Sequence, residues 1–170
     1  MVKDLIFKPI TKEDLSFLNM VRNKYALEYL HDSRTFTLEE TTHWFTQTSP
    51  DYWIIFDNDV KVGYFRLSNY SKENQNIYIG ADIAPEYKGK GYAKMAYKLF
   101  IPFLFKTYNL NKISLEVLST NTIAKNLYIK LGFTAEGIKR QEVFKNGTFV
   151  DSILMSLLKT EFNGYILENK

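Results

Sequence analysis

The residues most able to do chemistry sit in one stretch, Ala84-Pro85-Glu86-Tyr87-Lys88-Gly89-Lys90-Gly91-Tyr92-Ala93. Two glycines one residue apart let the backbone turn tightly and bring its N–H groups close to a ligand. A strand-like run, Gln75 to Ile83, leads in, and a helix-like run, Met95 to Phe105, leads out. A helix opening there aims the positive end of its dipole at the same spot. Such a corner binds an anionic group, most simply a pyrophosphate, and Lys88 and Lys90 add charge. An ordinary basic surface turn would use the same residues.

A second segment reads Ile113-Ser114-Leu115-Glu116-Val117-Leu118-Ser119-Thr120-Asn121, then Thr122-Ile123-Ala124-Lys125-Asn126-Leu127-Tyr128-Ile129-Lys130-Leu131-Gly132-Phe133. This is a strand, an Asn helix cap, a short helix and a glycine stop. Together the two segments resemble the GNAT family of N-acetyltransferases. That family's acetyl-CoA loop, Gln/Arg-x-x-Gly-x-Gly/Ala, is matched by Lys88-Gly89-Lys90-Gly91-Tyr92-Ala93, with Lys in the first place. Its later motif, Asn-x-x-Ala-x-x-Leu/Phe-Tyr-x-x-x-Gly-Phe, is matched at Asn121, Ala124, Leu127, Tyr128, Gly132 and Phe133. The likeness is close over residues 50–158 and looser before.

The resemblance implies a direct attack of an amine on the acetyl thioester, with acetyl-CoA as co-substrate and no metal. It makes Tyr128 the general acid beside the coenzyme sulfur. A phenol with an ordinary pKa of ~10 holds its proton at neutral pH, as that task requires. Filling space on one face of a short helix would explain the same tyrosine. Asn121 would cap its helix and, by the resemblance, contact the pantetheine arm. The backbone of Ile83 and Ala84 would hydrogen-bond the pantetheine amides as a strand extension does. Glu116 leads as general base, since apolar flanks at Leu115 and Val117 suit a carboxyl that takes a proton near neutral pH. An outward-facing glutamate paired with a lysine is the plainer reading. Asp82 is its rival on the preceding strand, and His43 a third.

By the resemblance, the acceptor is sought among the first two helices, their loop and the closing hairpin. Arg22, His31 and Arg34 could meet phosphates, Asp32 sugar hydroxyls, and Tyr29 or Trp44 a sugar or base face. This segment is similar to GNAT members of nucleotide-sugar and surface-glycan pathways, which implies a nucleotide-linked amino sugar as acceptor. Acetylation of protein N-termini, as by the ribosomal-protein acetyltransferases, is the alternative, with small polyamines or antibiotics behind it. A non-catalytic acyl-CoA sensor is a more distant one.

The elements that must position these residues follow from periodicity. Leu5-Ile6-Phe7 reads as a strand. Thr11 and Asp14, at capping-box spacing, open a helix carrying Leu15, Leu18, Val21 and Tyr25. Thr37 and Glu40 open a second, carrying Trp44-Phe45. Tyr29 to Arg34 is the polar loop between them. Strands follow at Tyr52 to Phe56, Val60 to Leu67 and Asn76 to Ala84, with a turn at Asn69 to Asn74. Ile77, Ile79 and Ala81 share one face of the last strand, and Tyr78, Gly80 and Asp82 the other. A final hairpin spans Thr134 to Phe144 and Thr148 to Leu158. The order βααβββαβαββ is an α/β domain with a mixed, mostly antiparallel twisted sheet flanked by helices, as GNAT proteins share. The subdivision is 1–50 for the acceptor-side helices, 75–133 for the acetyl-CoA core, 134–158 for the hairpin and 159–170 for a tail. The tail keeps Phe162, Tyr165, Ile166 and Leu167, which would pack back as a short helix or meet a second subunit in a homodimer.

Composition bounds the rest. The 170 residues, 45% hydrophobic and 16% aromatic, suffice for one domain with a substantial core. The absence of cysteine excludes disulfides, thiolate metal sites and a covalent cysteine mechanism. Two histidines without HExxH spacing make a poor zinc site. A net charge of +3, spread along the chain, argues against a nucleic-acid partner. No apolar run reaches the ~20 residues that span a bilayer. The expectation is a soluble, cytoplasmic protein without membrane contact.

Overall fold

The computed structural model describes residues 4–165. Strand β1 (Leu5–Pro9) leads through a 3-10 turn, Lys12–Asp14, into helix α1 (Leu15–Tyr25). Helix α2 (Leu38–Thr48) and strands β2 (Tyr52–Asp57), β3 (Val60–Ser71) and β4 (Asn76–Ile83) follow. Helix α3 (Tyr92–Thr107), strand β5 (Lys112–Leu118), helix α4 (Thr122–Lys130) and the hairpin β6 (Thr134–Lys145) and β7 (Thr148–Leu158) complete the order. This is the βααβββαβαββ sequence expected.

All seven strands form one sheet in the order β1-β2-β3-β4-β5-β7-β6. The β4–β5 pair is parallel and the others are antiparallel. Strand alternation assigns the two faces. On one, Phe65, Ile77, Ile113 and Leu115 pack against Tyr97, Phe100 and Leu104 of α3. Phe65 stacks on Phe100 with ring centroids 4.2 Å apart. On the other, Ile54 and Tyr64 pack against Leu15, Leu18, Val21 and Tyr25 of α1. Each such side chain removed from water contributes about 1.5–3 kcal/mol, enough to fix both helix layers on the sheet.

Two caps set where the 3-10 turn leading into α1 and helix α2 begin. Thr11 donates from its backbone N and Oγ1 to Asp14 Oδ2, at 2.8 and 2.9 Å. Thr37 N donates to Glu40 Oε2 and Glu40 N to Thr37 Oγ1, at 2.7 and 3.1 Å, a reciprocal box.

Two expectations are corrected. β3 runs past Leu67 to Ser71, through the segment expected to turn. Its register slips between Ser68 and Ser71, and Asn69 has φ 50, so the asparagine absorbs a bulge inside the strand instead of ending it. The tail forms no helix through Tyr165, but it does pack back on its own chain. Phe162 stacks on Phe105 with centroids 5.2 Å apart, and Tyr165 OH donates to Leu131 O at 2.8 Å. Ile166 and Leu167 lie outside the described residues.

Candidate active site

Sheet pairing creates the site. β4 pairs with β5 only at Asn76–Tyr78 against Lys112–Ser114. Beyond that point β4 stays paired with β3 to Ile83, and β5 with β7 to Leu118. The two central strands therefore have no mutual ladder at the end that leads into the glycine turn. A cavity of about 740 Å³ opens there. Its walls include Ile79 to Asp82 of β4, Glu116 and Val117 of β5, and Asn121, Ala124 and Tyr128 of α4. The acceptor candidates Arg22, Tyr29, His31, Asp32, Arg34 and Trp44 line the same cavity.

The glycine turn takes the form that the spacing predicts. Gly89 and Gly91 have φ 75 and 81, which favours glycine, and Gly91 is the N-cap of α3. A Cβ at Gly89 would meet nothing within 4 Å, so that turn opens outward. The cradle for an anionic group is thus backbone, with a helix N-terminus behind it, and it fits a coenzyme diphosphate. Side chains of the loop are used elsewhere. Lys88 Nζ donates to Tyr29 OH at 2.8 Å and lies 4.2 Å from that ring's centroid. Lys90 Nζ lies 5.7 Å from the Tyr87 ring. Tyr92 OH donates to Asp57 Oδ2 at 2.6 Å, a bond that pushes the phenol up to about 12. Ala93 is half-buried in the first turn of α3.

The strand-extension expectation holds only in part. Ala84 N–H donates to Val62 O at 2.9 Å, so it is committed to β3. Ile83 O already accepts from Tyr25 OH at 2.7 Å and keeps one lone pair.

Asn121 accepts from Ala124 N at 3.2 Å, capping α4. Tyr128 lies in that helix with 8% exposure. Burial raises its phenol above the ordinary value, so it holds its proton at neutral pH. Tyr97 OH donates to Tyr128 OH at 3.4 Å.

The environment of Glu116 differs from the apolar one expected. Leu115 and Val117 point to the opposite face of β5, as strand alternation requires. Glu116 instead accepts from Lys139 Nζ at 2.7 Å and Ser152 Oγ at 3.3 Å, with His31 Nε2 at 3.8 Å. Burial holds the His31 imidazole below its ordinary value, and Glu116 pulls the other way. His43 is exposed on α2, away from the cavity.

The acceptor cations are not free. Arg34 Nε and Nη2 donate to the two oxygens of Asp32, at 2.9 and 2.8 Å, and Arg22 Nη2 is 3.3 Å from Asp32 Oδ2. The Arg34 guanidinium holds the Asp32 carboxyl down at about 2. Both arginines also lie near the Phe36 ring, at 4.4 and 5.3 Å from its centroid. The salt bridge therefore shapes the loop and uses up Asp32 as well.

Sequence reasoning missed Arg66. Its guanidinium lies across Gly80 in the cavity wall, where a Cβ would come within 2.9 Å of Nη2. Arg66 Nε is 3.3 Å from Asp82 Oδ2, and both buried atoms lack a hydrogen-bond partner among the described residues. A glycine inside a strand was the available signal, because it marks a close approach. Ser152, Lys139 and Lys145 were missed too, since the hairpin reaches the site only through folding.

Residues 4–134 match the model of the acetyltransferase (GNAT) domain. The chain belongs to the GNAT acetyltransferase family. The spermidine N(1)-acetyltransferase of Escherichia coli is 28% identical over 174 residues, covering 96% of this chain and 89% of that protein. The ribosomal-protein-alanine N-acetyltransferase of the same organism is 27% identical over 114 residues, covering 65% of this chain and 59% of that one. The crystal structure of Vibrio cholerae spermidine N-acetyltransferase in complex with CoA and spermine has the same fold, with a TM-score of 0.87 at 24% identity, over 92% and 96% of the two chains. The protein is an acetyl-CoA-dependent N-acetyltransferase. Among the described residues no helix is long and apolar enough to cross a membrane, and no group of three or more His, Asp or Glu could hold a metal.

Proposed function

We propose that the acceptor is a primary amine that also carries hydroxyl or anionic groups, in particular an amino sugar on a nucleotide carrier. The observation that carries this reading is the Arg66–Asp82 pair in the cavity wall. A buried donor or acceptor left unpartnered costs about 1–3 kcal/mol. Here Arg66 Nε and Asp82 Oδ2 are buried and form an ion pair at 3.3 Å, but neither atom makes a hydrogen bond among the described residues. A ligand hydroxyl can accept from the guanidinium and donate to the carboxylate, and a phosphate oxygen can accept from the guanidinium. A polyammonium chain offers donors alone and places positive charge beside a guanidinium. Both arginines are paired with an aspartate, but Arg34 is hydrogen-bonded to Asp32 through two nitrogens and Arg66 Nε makes no hydrogen bond, so Arg66 is the proposed anion anchor.

A second reading is a polyamine acceptor. It is favoured by the spermidine acetyltransferase that matches along nearly the full chain, and by carboxylates of Asp32, Glu40, Asp82 and Glu116 in the cavity.

In either case the coenzyme's diphosphate goes to the backbone of Gly89 to Ala93, and its pantetheine arm runs between β4 and β5 past Asn121. Tyr128 donates the proton that the departing thiolate takes. Its burial and its place beside the cavity support that role. Of the carboxylates expected to serve as base, Asp82 faces Arg66 and Glu116 faces Lys139.

The test is thiol release from acetyl-CoA with three acceptor groups: nucleotide-linked amino sugars, spermidine and spermine, and N-terminal peptides. The amino sugars should give the highest kcat/KM, and Arg66→Met should lower it through KM. Efficient turnover of spermidine with none of a sugar nucleotide selects the second reading. Turnover of peptides alone rejects both.

A further inference from the structure

The hairpin, absent from both motifs, brings a hydrogen-bonded chain to the cavity. His31 Nε2 lies 2.7 Å from Ser152 Oγ. Ser152 Oγ donates to Glu116 Oε2 at 3.3 Å, and Glu116 Oε1 accepts from Lys139 Nζ at 2.7 Å. A serine hydroxyl has one proton to give. Spent on a carboxylate, which only accepts, it leaves Ser152 as acceptor toward the ring. With that proton directed to Glu116, His31 Nε2 carries the imidazole hydrogen and Nδ1 keeps the lone pair. Nδ1 has no partner among the described residues, and His31 lines the cavity together with Tyr128 and Asn121.

We infer that His31, through Nδ1, takes the proton from the acceptor amine, while Ser152 and Glu116 fix its tautomer and orientation. This rests on the reading that the acceptor amine occupies this cavity. The two carboxylates expected as bases are less available, one facing Arg66 and the other lying behind Ser152. The step balances. The acceptor ammonium gives one proton to Nδ1, and its freed lone pair forms the N–C bond as the C–S bond breaks. Tyr128 gives its proton to the departing thiolate and takes back the second nitrogen proton, giving amide and free thiol, and His31 returns its proton to water. In the imidazolium form Nε2 sits 3.8 Å from the Glu116 carboxylate, which favours the charge. Lys139 and Lys145 of β6 and Arg66 of β3 face the ring and oppose it.

His31→Gln preserves a donor toward Ser152 and removes the basic nitrogen. It should lower kcat/KM about 10²-fold near neutral pH and move the acid limb of the pH profile up to the pKa of the acceptor amine, with acetyl-CoA affinity unchanged. Ser152→Ala should give a smaller loss and shift that limb. Nitrogen-15 NMR of the free enzyme should show His31 as the neutral Nε2–H tautomer. There are two histidines, and the His31 signal is identified by its loss in His31→Gln. Wild-type kcat/KM in His31→Gln between about pH 6 and 9, or an Nδ1–H tautomer, overturns the proposal. The tautomer decides it even where no amine in the panel is turned over, an outcome that would count against the acceptor reading instead.

Discussion

The two sides of the cavity are built in opposite ways. The proposed diphosphate end of the cofactor side is local: a strand end in the cavity wall, then a turn with two left-handed glycines and a helix start, all between Ile79 and Ala93. Its ligand groups are backbone, and its side chains are turned to other uses. The acceptor side is assembled from distant parts of the chain. Lys145, in the hairpin, donates to Ala26 O at 2.9 Å, Leu27 O at 3.2 Å and Ser33 Oγ at 2.7 Å, across more than a hundred residues of sequence. That buried ammonium holds the loop that carries Tyr29, His31, Asp32 and Arg34. Burial lowers its pKa, and the bonds to carbonyls and hydroxyl replace the water it has lost. A local site can keep its function while its sequence surroundings vary. A site held by one buried lysine depends on that lysine.

The comparison can be broken at either side. Gly91→Glu should have the largest effect. A side chain at φ 81 is strained, and its carboxylate would stand where an anion binds, so acetyl-CoA affinity should fall at least ~10²-fold in a folded protein. Isothermal calorimetry with acetyl-CoA measures this, and unchanged affinity would remove the assignment of the loop. Lys145→Met should leave that affinity intact and raise the acceptor KM about tenfold, because the loop loses three bonds while its fill is conserved. Steady-state kinetics with each substrate varied in turn separates the two. A matching loss of acetyl-CoA affinity would show the sides are not independent.

Asp14→Asn should have the smallest effect on function and a modest one on stability, about 1–2 kcal/mol by denaturant titration. Asp14 closes the start of α1 and pairs with Lys61 Nζ at 2.6 Å. Burial works against its charge, but the bonds from Lys61 and Thr11 win and hold the carboxyl below its usual value. A depressed folded-state pKa means the stabilisation is present above the unfolded value and is lost as pH falls through the folded one. The gap between wild type and Asp14→Asn should therefore be full at neutral pH and close below about pH 4. A gap that persists there would assign the loss to packing.

The sequence by itself determined the element order, the caps at Thr11, Thr37 and Asn121, the faces of β4, and the glycine turn. These depend on neighbours within about four residues, where periodicity and spacing report the physics directly. It also named residues that the fold does gather around one cavity, from Arg22 to Tyr128. It could not tell which of their charges would be free. Only tertiary structure decided that Ala84 N–H is spent on β3 and that Glu116 faces Lys139, Ser152 and His31. Arg66 entered the site for the same reason, through an antiparallel register that sets it opposite Gly80. Pairing of charges across a sheet is a property of register and side-chain reach, and neither is written at fixed spacing along the chain.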